Sequence, residues 1–486
     1  MKKPQPQQLT TNAGSGFAWS LFNTVVTRIG TLGIGIVLAR VLGPEQFGTY
    51  AVALVALLAV LSFNELGVSL AIVRWRMDPR QIAPTINTMS TISSVVFCGV
   101  AILVAPAFSQ AMRATEATPV VQVLALSIVV SGVVSTPAAL LQRSFKEKQR
   151  MAIDQVNVWV GAIVSVVLAV LGMGAMSLAI GRLAGSLVSA VFFLKASPIP
   201  YRFGWDTTHA PALFKFGLPL AGTSIVMFLV GYADQLIAGS MLGAIALGFY
   251  VLAFNLSSWP VNIISQPLRR VGPAALATLQ HDPVRLSGAL RQLYSVVAAA
   301  TFPVFAAIAV SSESLVVLIY GQVWQPASVA LRWLVIAALG KVITDLFYDY
   351  FVVIGQTSRV FAVQTGSLVV AIPVLVLGAA VGGIGGLAAA QAAVSWLVVL
   401  PLYFWNLSRS GTKVRQFARL ILWPVAGAAA VVLCSIALDL FAVGSLPTLA
   451  VVCVLAGTAA ATLLWLRRTD LGFLWGIGRT EAPIHA

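Results

Sequence analysis

Apolar runs of about 20 residues follow one another along almost the whole chain, separated by short polar or Gly/Pro-rich segments. Each run is long enough to cross roughly 30 Å of hydrocarbon as an α-helix. Only 9% of the residues are charged, against about 25% in a soluble domain. The pattern therefore predicts an all-α polytopic membrane protein.

The runs predict about 14 transmembrane helices. Their ranges are 17–38, 48–73, 84–109, 119–141, 152–171, 174–195, 213–238, 244–266, 291–310, 328–351, 357–379, 383–405, 418–439 and 446–466.

The distribution of positive charge predicts that both termini are cytoplasmic. Of the 30 Lys and Arg residues, four (Arg28, Arg182, Arg332 and Lys341) lie inside predicted helices away from their inner ends, and two, Arg40 and Arg113, lie in outer segments. The remaining 24 lie in inner segments or at the inner ends of the predicted helices, as the positive-inside rule requires. The net charge of +15 is then explained by topology and by contact with the anionic inner leaflet, so no nucleic-acid partner is expected.

The cysteines and histidines predict no metal site and no disulfide framework. All three cysteines fall inside apolar runs, and the three histidines lie far apart in polar segments. None of them has a second ligand at the spacing typical of a metal site. We expect no metal and no cofactor.

A short turn occurs twice, 200 residues apart. ARVLGPEQFGTYAVA (39–53) and GSMLGAIALGFYVLA (239–253) share Leu, Gly, Gly, Tyr and Ala at matching positions. Six predicted helices separate the copies, so both run in the same direction, as in parallel repeats about an axis along the membrane normal. The turn Gly172–Gly174 resembles Gly383–Gly385 and supports this repeat. Two six-helix lobes around a central cavity, with two additional C-terminal helices, are predicted.

This plan divides the chain into six parts. They are a cytoplasmic tail (1–16), an N-lobe (17–195), a cytoplasmic linker (196–212), a C-lobe (213–406), two further helices (407–467) and a cytoplasmic C-terminal tail (468–486).

Six segments resemble those of bacterial polysaccharide transporters of the O-antigen flippase type. They are ARVLGPEQFGTYAVA, NELGVSLAIVRW, LLQRSFKEKQRMA, FKFGLPLAGTSIVMFLVGYADQLIAGSMLG, LRRVGPAALATLQHDPVRL and LIYGQVWQPASVALRWLVIAAL. The superfamily also contains multidrug exporters and the peptidoglycan-precursor flippase.

The resemblance implies a flippase of the bacterial cytoplasmic membrane. Its substrate would be an undecaprenyl-diphosphate-linked oligosaccharide, delivered to the outer leaflet by alternating access for O-antigen, exopolysaccharide or capsule synthesis. We expect a monomeric transport unit and no catalytic residues, with glycosyltransferases and a glycan polymerase of the same pathway as candidate partners.

Polar residues on one face of helix 1 are candidates for the cavity wall. The spacing of Asn23, Thr24, Thr27, Arg28 and Thr31 places them together on a helix. The Arg28 guanidinium could bind a sugar diphosphate. Alternatively, the small residues pack against another helix, and Arg28 pairs with a carboxylate such as that of Glu65.

Charged residues in helices 2, 7 and 10 are candidates for ion coupling or charge balance. A charge at the centre of a membrane helix is costly and normally faces protein or a cavity. On helix 10, Lys341 and Asp345 are four residues apart and could bind substrate or pair with each other. Glu65 is a second candidate acid. The family resemblance adds Asp234, whose alternative role is an ion pair with Arg28 or Lys341.

Three further arginines complete the candidate set. Arg182 on helix 6 lies among small residues that permit close helix packing and could also face the cavity. Arg74 and Arg76 lie at the cytoplasmic end of helix 2, where a diphosphate would arrive, although topology explains them equally well.

Two other functional classes are open from the sequence. A multidrug or cation antiporter of the same superfamily would favour acidic cavity residues, and the candidate charges show no clear majority of either sign. A membrane-embedded glycosyltransferase or polymerase would need acid/base or metal-binding groups on a long outer loop. The predicted outer loops are short and carry few, widely spaced carboxylates.

Overall fold

The computed structural model describes residues 6–64, 69–75, 77–277, 279–280, 282–410, 414–441 and 444–468. For residues 6–32, 63–64, 263–275, 283 and 445 it describes the backbone alone. These described residues form helices and connecting turns, with no β-strand among them. The predicted all-α membrane fold is confirmed.

Sixteen α-helices occur in the described residues. They are α1 (Pro6–Asn64), α2 (Ser69–Arg74), α3 (Pro79–Ala111), α4 (Thr118–Arg143), α5 (Glu147–Val170), α6 (Ala175–Ala196), α7 (Ala210–Ile237), α8 (Ala244–Ala277), α9 (Pro283–Val310), α10 (Ser312–Tyr320), α11 (Ala327–Val353), α12 (Thr357–Val394), α13 (Leu400–Arg409), α14 (Arg415–Leu420), α15 (Leu422–Leu440) and α16 (Ser445–Leu466). Single π-helical turns follow α7 (Ala238–Leu242) and α12 (Ser395–Val399).

Twelve stretches of the described residues are long and apolar enough to cross a membrane. One of them, Thr357–Arg409, has 53 residues and is interrupted by non-helical backbone at Gly382 and Gly383. That interruption separates the two predicted helices 357–379 and 383–405. The predicted first helix, 17–38, lies in the part of α1 that precedes Gly43, mostly where only backbone is described. The number 14 stays a prediction.

The repeated turns have the same backbone conformation in both halves of the chain. Gly43 has φ 70° and ψ 175°, and Gly243 has φ 87° and ψ 178°. A positive φ of this size favours glycine because it has no Cβ. For the second repeat, Gly174 (φ 55°, ψ −139°) matches Gly383 (φ 56°, ψ −140°). The sequence comparison pairs Gly383 with Gly172, whereas the structure pairs it with Gly174, two residues further along the chain.

The described helices form two compact units, 1–228 and 229–486, with the boundary inside α7. In the first unit, α5 and α6 approach closely through glycines: a Cβ on Gly181 would lie 2.5 Å from the Gly161 carbonyl oxygen, and one on Gly185 would lie 2.3 Å from that of Asn157. Small residues commonly allow such close contact between membrane helices. In the second unit, α15 and α16 pack on α9 through Ala307, Val431 and Val452.

The segment between α6 and α7 lies along α3 within the first unit. Asn87 Nδ2 donates to the Arg202 carbonyl oxygen at 2.9 Å, and the Gly204 N–H donates to Thr88 Oγ1 at 3.1 Å. The hydrogen bond from His209 and then that from the Thr208 N–H lower the pKa of the Asp206 carboxyl. The connection is therefore an ordered strap on α3.

Candidate functional site

The helix 1 candidates lie on α1, in the range for which only the backbone is described. The helical backbone places Asn23, Thr24, Thr27, Arg28 and Thr31 on one face, as their spacing predicts.

Two other candidates, Glu65 and Arg76, lie outside the described residues. Their assignments, and those of the polar face on α1, stay predictions.

Arg143 has a structural role at the C-terminal end of α2 that was not predicted. Its guanidinium donates to the carbonyl oxygens of Trp75 and Met77, each at 2.9 Å, and also to that of Ile72. These carbonyls follow or end a six-residue helix and would otherwise lack partners. Arg74, the last residue of α2, is exposed. Arg143 thus holds the end of α2 in place and leaves the Arg74 side chain accessible.

Arg182 lies half-buried on α6, next to the glycines that contact α5. Among the described residues, no hydrogen bond or ion pair engages its guanidinium, while its carbonyl oxygen accepts from Ser186 Oγ at 2.9 Å. A cation inside a membrane helix normally faces a cavity or a partner. Arg182 therefore keeps its candidacy for binding an anion.

Asp234 is nearly fully buried and is held by two hydrogen bonds. The Tyr250 hydroxyl donates to Asp234 Oδ2 at 2.8 Å, and the Gln235 N–H donates to Oδ1 at 2.8 Å. Tyr250 is the tyrosine of the second repeated turn. Among the described residues, Lys341 pairs with another carboxylate, so the expected alternative of an Asp234–Lys341 ion pair is not observed.

The matching position in the first repeat is apolar. Ile34 precedes Asp234 by 200 residues, as Tyr50 precedes Tyr250. Tyr50 and Ile34 both pack against a small cluster around Leu38. At this position the second repeat therefore has a hydrogen-bonded carboxylate where the first repeat has an apolar contact.

Lys341 and Asp345 form an ion pair along α11. Lys341 Nζ lies 3.2 Å from Asp345 Oδ1, and the two side chains are 63% and 17% exposed. Of the two predicted possibilities, the internal pair is the one observed. The ammonium group is nevertheless the more exposed partner, so it can still contact a bound anion.

Further polar groups surround this pair. Asp349, one turn further along α11, is 9% exposed. Tyr403 of α13 is buried, and its hydroxyl lies within electrostatic range of Asp345, Tyr348 and Asp349. These acids and hydroxyls make the α11 face polar within an otherwise apolar unit.

A π-helical turn fixes the segment of α11 that carries Lys341. Trp396 Nε1 donates to the Ile336 carbonyl oxygen at 2.8 Å, and Ser395 Oγ donates to that of Ala337 at 3.3 Å. A Cβ on Gly340 would lie 2.5 Å from Ser395 Oγ. Single π-helical turns are frequent at functional sites. Periodicity in the sequence does not reveal this turn.

The candidate residues suit non-covalent binding. They include cations for an anionic group, carboxylates for charge balance and hydroxyls for hydrogen bonding. The described α6 and α11 candidates belong to different units, and each helix supplies its own charges.

Comparison with protein families gives a match that covers most of the repeat. The family described as "Polysaccharide biosynthesis protein" matches residues 37–329, more than half of the 486 residues.

Two curated proteins are similar over most of the chain. "Lipopolysaccharide biosynthesis protein WzxC" of Escherichia coli strain K12 is 25% identical over 417 residues, 84% of each chain. "Succinoglycan biosynthesis transport protein ExoT" of Rhizobium meliloti strain 1021 is 25% identical over 371 residues, which cover 73% of this chain and 71% of the relative.

Solved structures show the same fold. Lipid II flippase MurJ in an inward closed conformation superposes with a TM-score of 0.77 at 13% identity, covering 92% of this chain and 98% of the other. An inward-facing multidrug resistance MATE transporter gives a TM-score of 0.60 at 16% identity, covering 79% and 94%. At such identities the likeness concerns the fold alone.

Proposed function

Because the chain belongs to the polysaccharide biosynthesis protein family, we propose that it is a flippase for a lipid-linked saccharide. The substrate is an oligosaccharide repeat unit on undecaprenyl diphosphate, which passes from the cytoplasmic to the outer leaflet without chemical conversion. The observation that carries the proposal is the family match, supported by two similar proteins named for lipopolysaccharide and succinoglycan biosynthesis.

The intramembrane cations suit the head group of this substrate. A diphosphate carries roughly two negative charges, and guanidinium and ammonium groups bind phosphate through charge-assisted hydrogen bonds. Arg182 is half-buried without a partner among the described residues, and Lys341 is the more exposed member of its ion pair. Arg28 on the polar face of α1 is the third proposed cation.

The carboxylates balance these charges when the substrate is absent. Asp345 pairs with Lys341, so a bound phosphate would compete with Asp345 for the same ammonium group. Asp234, held by Tyr250, is the second proposed site of charge balance or ion coupling. Both acids would thereby limit the cost of holding cations inside the membrane.

The transport cycle follows the parallel repeat. We place the substrate in a cavity between two six-helix lobes, which rock about it and open alternately to the two sides. The protein resides in the bacterial cytoplasmic membrane as a monomer with both termini inside. Arg74 and Arg76 contact the diphosphate as it arrives from the inner face.

A strain that lacks the gene tests the proposal directly. Complementation with the native gene should restore surface polysaccharide on a gel, whereas Arg28→Ala should not, at equal protein level in the membrane. Arg28→Lys should restore part of it because the positive charge is kept. Arg113→Asn, which removes an exposed cation at the end of α3, serves as the control and should restore export fully.

Two outcomes would contradict the proposal. Normal export by Arg28→Ala would exclude the assigned role of Arg28. Unchanged surface polysaccharide in the deletion strain, together with increased sensitivity to cationic drugs, would instead favour a multidrug exporter with the same fold.

A further inference from the structure

A cavity of about 460 Å³ lies between α9, α11 and α15 in the second unit. Its walls are mainly apolar and include Phe302, Ile336 and Val432, but it also contains the charged side chains of Arg332 and Asp439. A second cavity, of about 480 Å³, shares Phe302 and Val432 and continues along α15. Together they form one elongated apolar groove, which we call the α15 groove.

The two charges lie at one end of the α15 groove. Arg332 is in the second turn of α11, Asp439 is the next-to-last residue of α15, and Val310 is the last residue of α9. Under the predicted topology, this is the outer end of all three helices. From Asp439, the groove follows α15 to Val425, a distance of about 21 Å at 1.5 Å per residue. Half the hydrocarbon thickness is about 15 Å, so the groove can hold a lipid chain from one leaflet.

Neither charge has a partner among the described residues. No ion pair joins Arg332 and Asp439, although both side chains line the same cavity. No hydrogen bond between either side chain and another described group is observed. The groove end therefore presents an exposed cation and an exposed anion that line the same cavity and, among the described residues, have no partner. Under the predicted topology, this end faces the outer head-group region.

We propose that the α15 groove binds a zwitterionic phospholipid with a primary ammonium head group. The phosphate contacts Arg332, the ammonium group contacts Asp439, and an acyl chain fills the apolar part. Both contacts are charge-assisted hydrogen bonds. A lipid with only negative charge leaves Asp439 unpaired, and a quaternary ammonium group has no N–H to donate. A polyprenyl diphosphate would bring two negative charges next to the Asp439 carboxylate.

Native mass spectrometry of the full-length protein tests this proposal. The protein, purified in detergent, is supplied with equal amounts of phosphatidylethanolamine, phosphatidylglycerol and phosphatidylcholine with the same acyl chains. The native protein should retain phosphatidylethanolamine about tenfold more strongly than the other two, the effect of one charge-assisted hydrogen bond. Asp439→Asn should abolish this preference, and Arg332→Gln should weaken retention of all three lipids.

Matched variants separate the groove from general effects. Glu116→Gln removes an exposed carboxylate in the first unit and should keep the preference. Ala428→Trp fills the groove and should prevent retention of every phospholipid, whereas Ala430→Trp, on the same helix but outside the groove lining, should not.

Three results would overturn the proposal. They are equal retention of the three lipids by the native protein, an unchanged preference in Asp439→Asn, and displacement of phosphatidylethanolamine by an equal concentration of a polyprenyl diphosphate. The last result would assign the groove to the substrate. Asp439→Asn replaces an exposed side chain by one of the same size and should fold normally. It therefore tests the proposal even if Ala428→Trp does not fold.

Discussion

Asp234 is a buried carboxylate whose partner comes from the next helix. A buried charge is costly unless hydrogen bonds compensate for its lost hydration. The Tyr250 hydroxyl and the Gln235 N–H supply two such bonds. Since Ile34 occupies the matching position in the first repeat, the turn itself does not require the acid. Folding of the turn alone therefore does not explain Asp234, and its role in charge balance stays a proposal.

Removal of the Tyr250 hydroxyl should destabilise the protein. Tyr250→Phe leaves Asp234 Oδ2 buried without its donor, and the expected loss is about 1–3 kcal/mol in the free energy of unfolding. Thermal unfolding in detergent measures it. Tyr50→Phe is the matched control in the first repeat, where no described group bonds the hydroxyl, and it should change stability little. Equal losses in the two variants would contradict this interpretation.

The Lys341–Asp345 pair should matter more for transport than for stability. Because Lys341 is 63% exposed, solvent screening limits the stabilisation from the pair to about 1 kcal/mol or less. Lys341→Ala should therefore unfold close to the native temperature but raise the KM for the lipid-linked saccharide in proteoliposomes. Asp345→Asn should lower KM, since the phosphate no longer competes with the carboxylate. Unchanged KM in both variants would assign the pair a purely structural role.

At the scale of single helices, α2 depends on a side chain from α4. Arg143 donates to three carbonyl groups at the end of α2, and a helix of six residues has few internal hydrogen bonds. Arg143→Ala should therefore increase hydrogen exchange in residues 69–77. Arg150→Ala, which removes an exposed contact with Gln142, is the control. It should leave hydrogen exchange in residues 69–77 unchanged. Equal exchange in both variants would show that the Arg143 hydrogen bonds do not stabilise the end of α2.

The contact between α5 and α6 requires glycine. A Cβ on Gly181 would lie 2.0 Å from Ser165 Oγ and 2.5 Å from the Gly161 carbonyl oxygen. Gly181→Ala should therefore cost about 1–3 kcal/mol through overpacking, measured as a lower unfolding temperature. Gly222 on α7 has no atom within 4 Å of its Cβ position, so Gly222→Ala should be neutral. A similar loss at both positions would contradict the packing argument.

Hydropathy predicted the helices well because each span must be apolar for the length of the bilayer. The predicted ranges 84–109 and 119–141 lie within α3 and α4. The site was less predictable. Tyr250 was noticed only as a residue of the repeated turn. Its hydrogen bond to Asp234 was not predicted, because the two residues lie on different helices and no periodicity within one helix links them. The two π-helical turns and the Arg143 contacts likewise depend on tertiary packing, which overrides local patterns.

For the whole molecule, the membrane potential should influence transport. Moving one elementary charge across 100 mV is worth about 2.3 kcal/mol. An inside-negative potential favours outward movement of a diphosphate, or, if the cations neutralise it, return of the empty cationic protein. In both cases, proteoliposomes with an inside-negative potassium diffusion potential should transport faster than those without. A rate that does not change with the potential would contradict both versions of the cycle.

The matching glycine turns also allow the lengths of the two halves to be compared. Gly43 and Gly174 are 131 residues apart, whereas Gly243 and Gly383 are 140 apart. Most of the difference lies in one connection. Residues 311–326, which include α10, connect α9 to α11, whereas only residues 112–117 connect the corresponding helices α3 and α4. The longer connection with α10 and the carboxylate of Asp234 each occur in the second half alone. A single chain that contains both repeats can therefore differ between its halves in loop length and in buried charge, which two identical half-length chains could not.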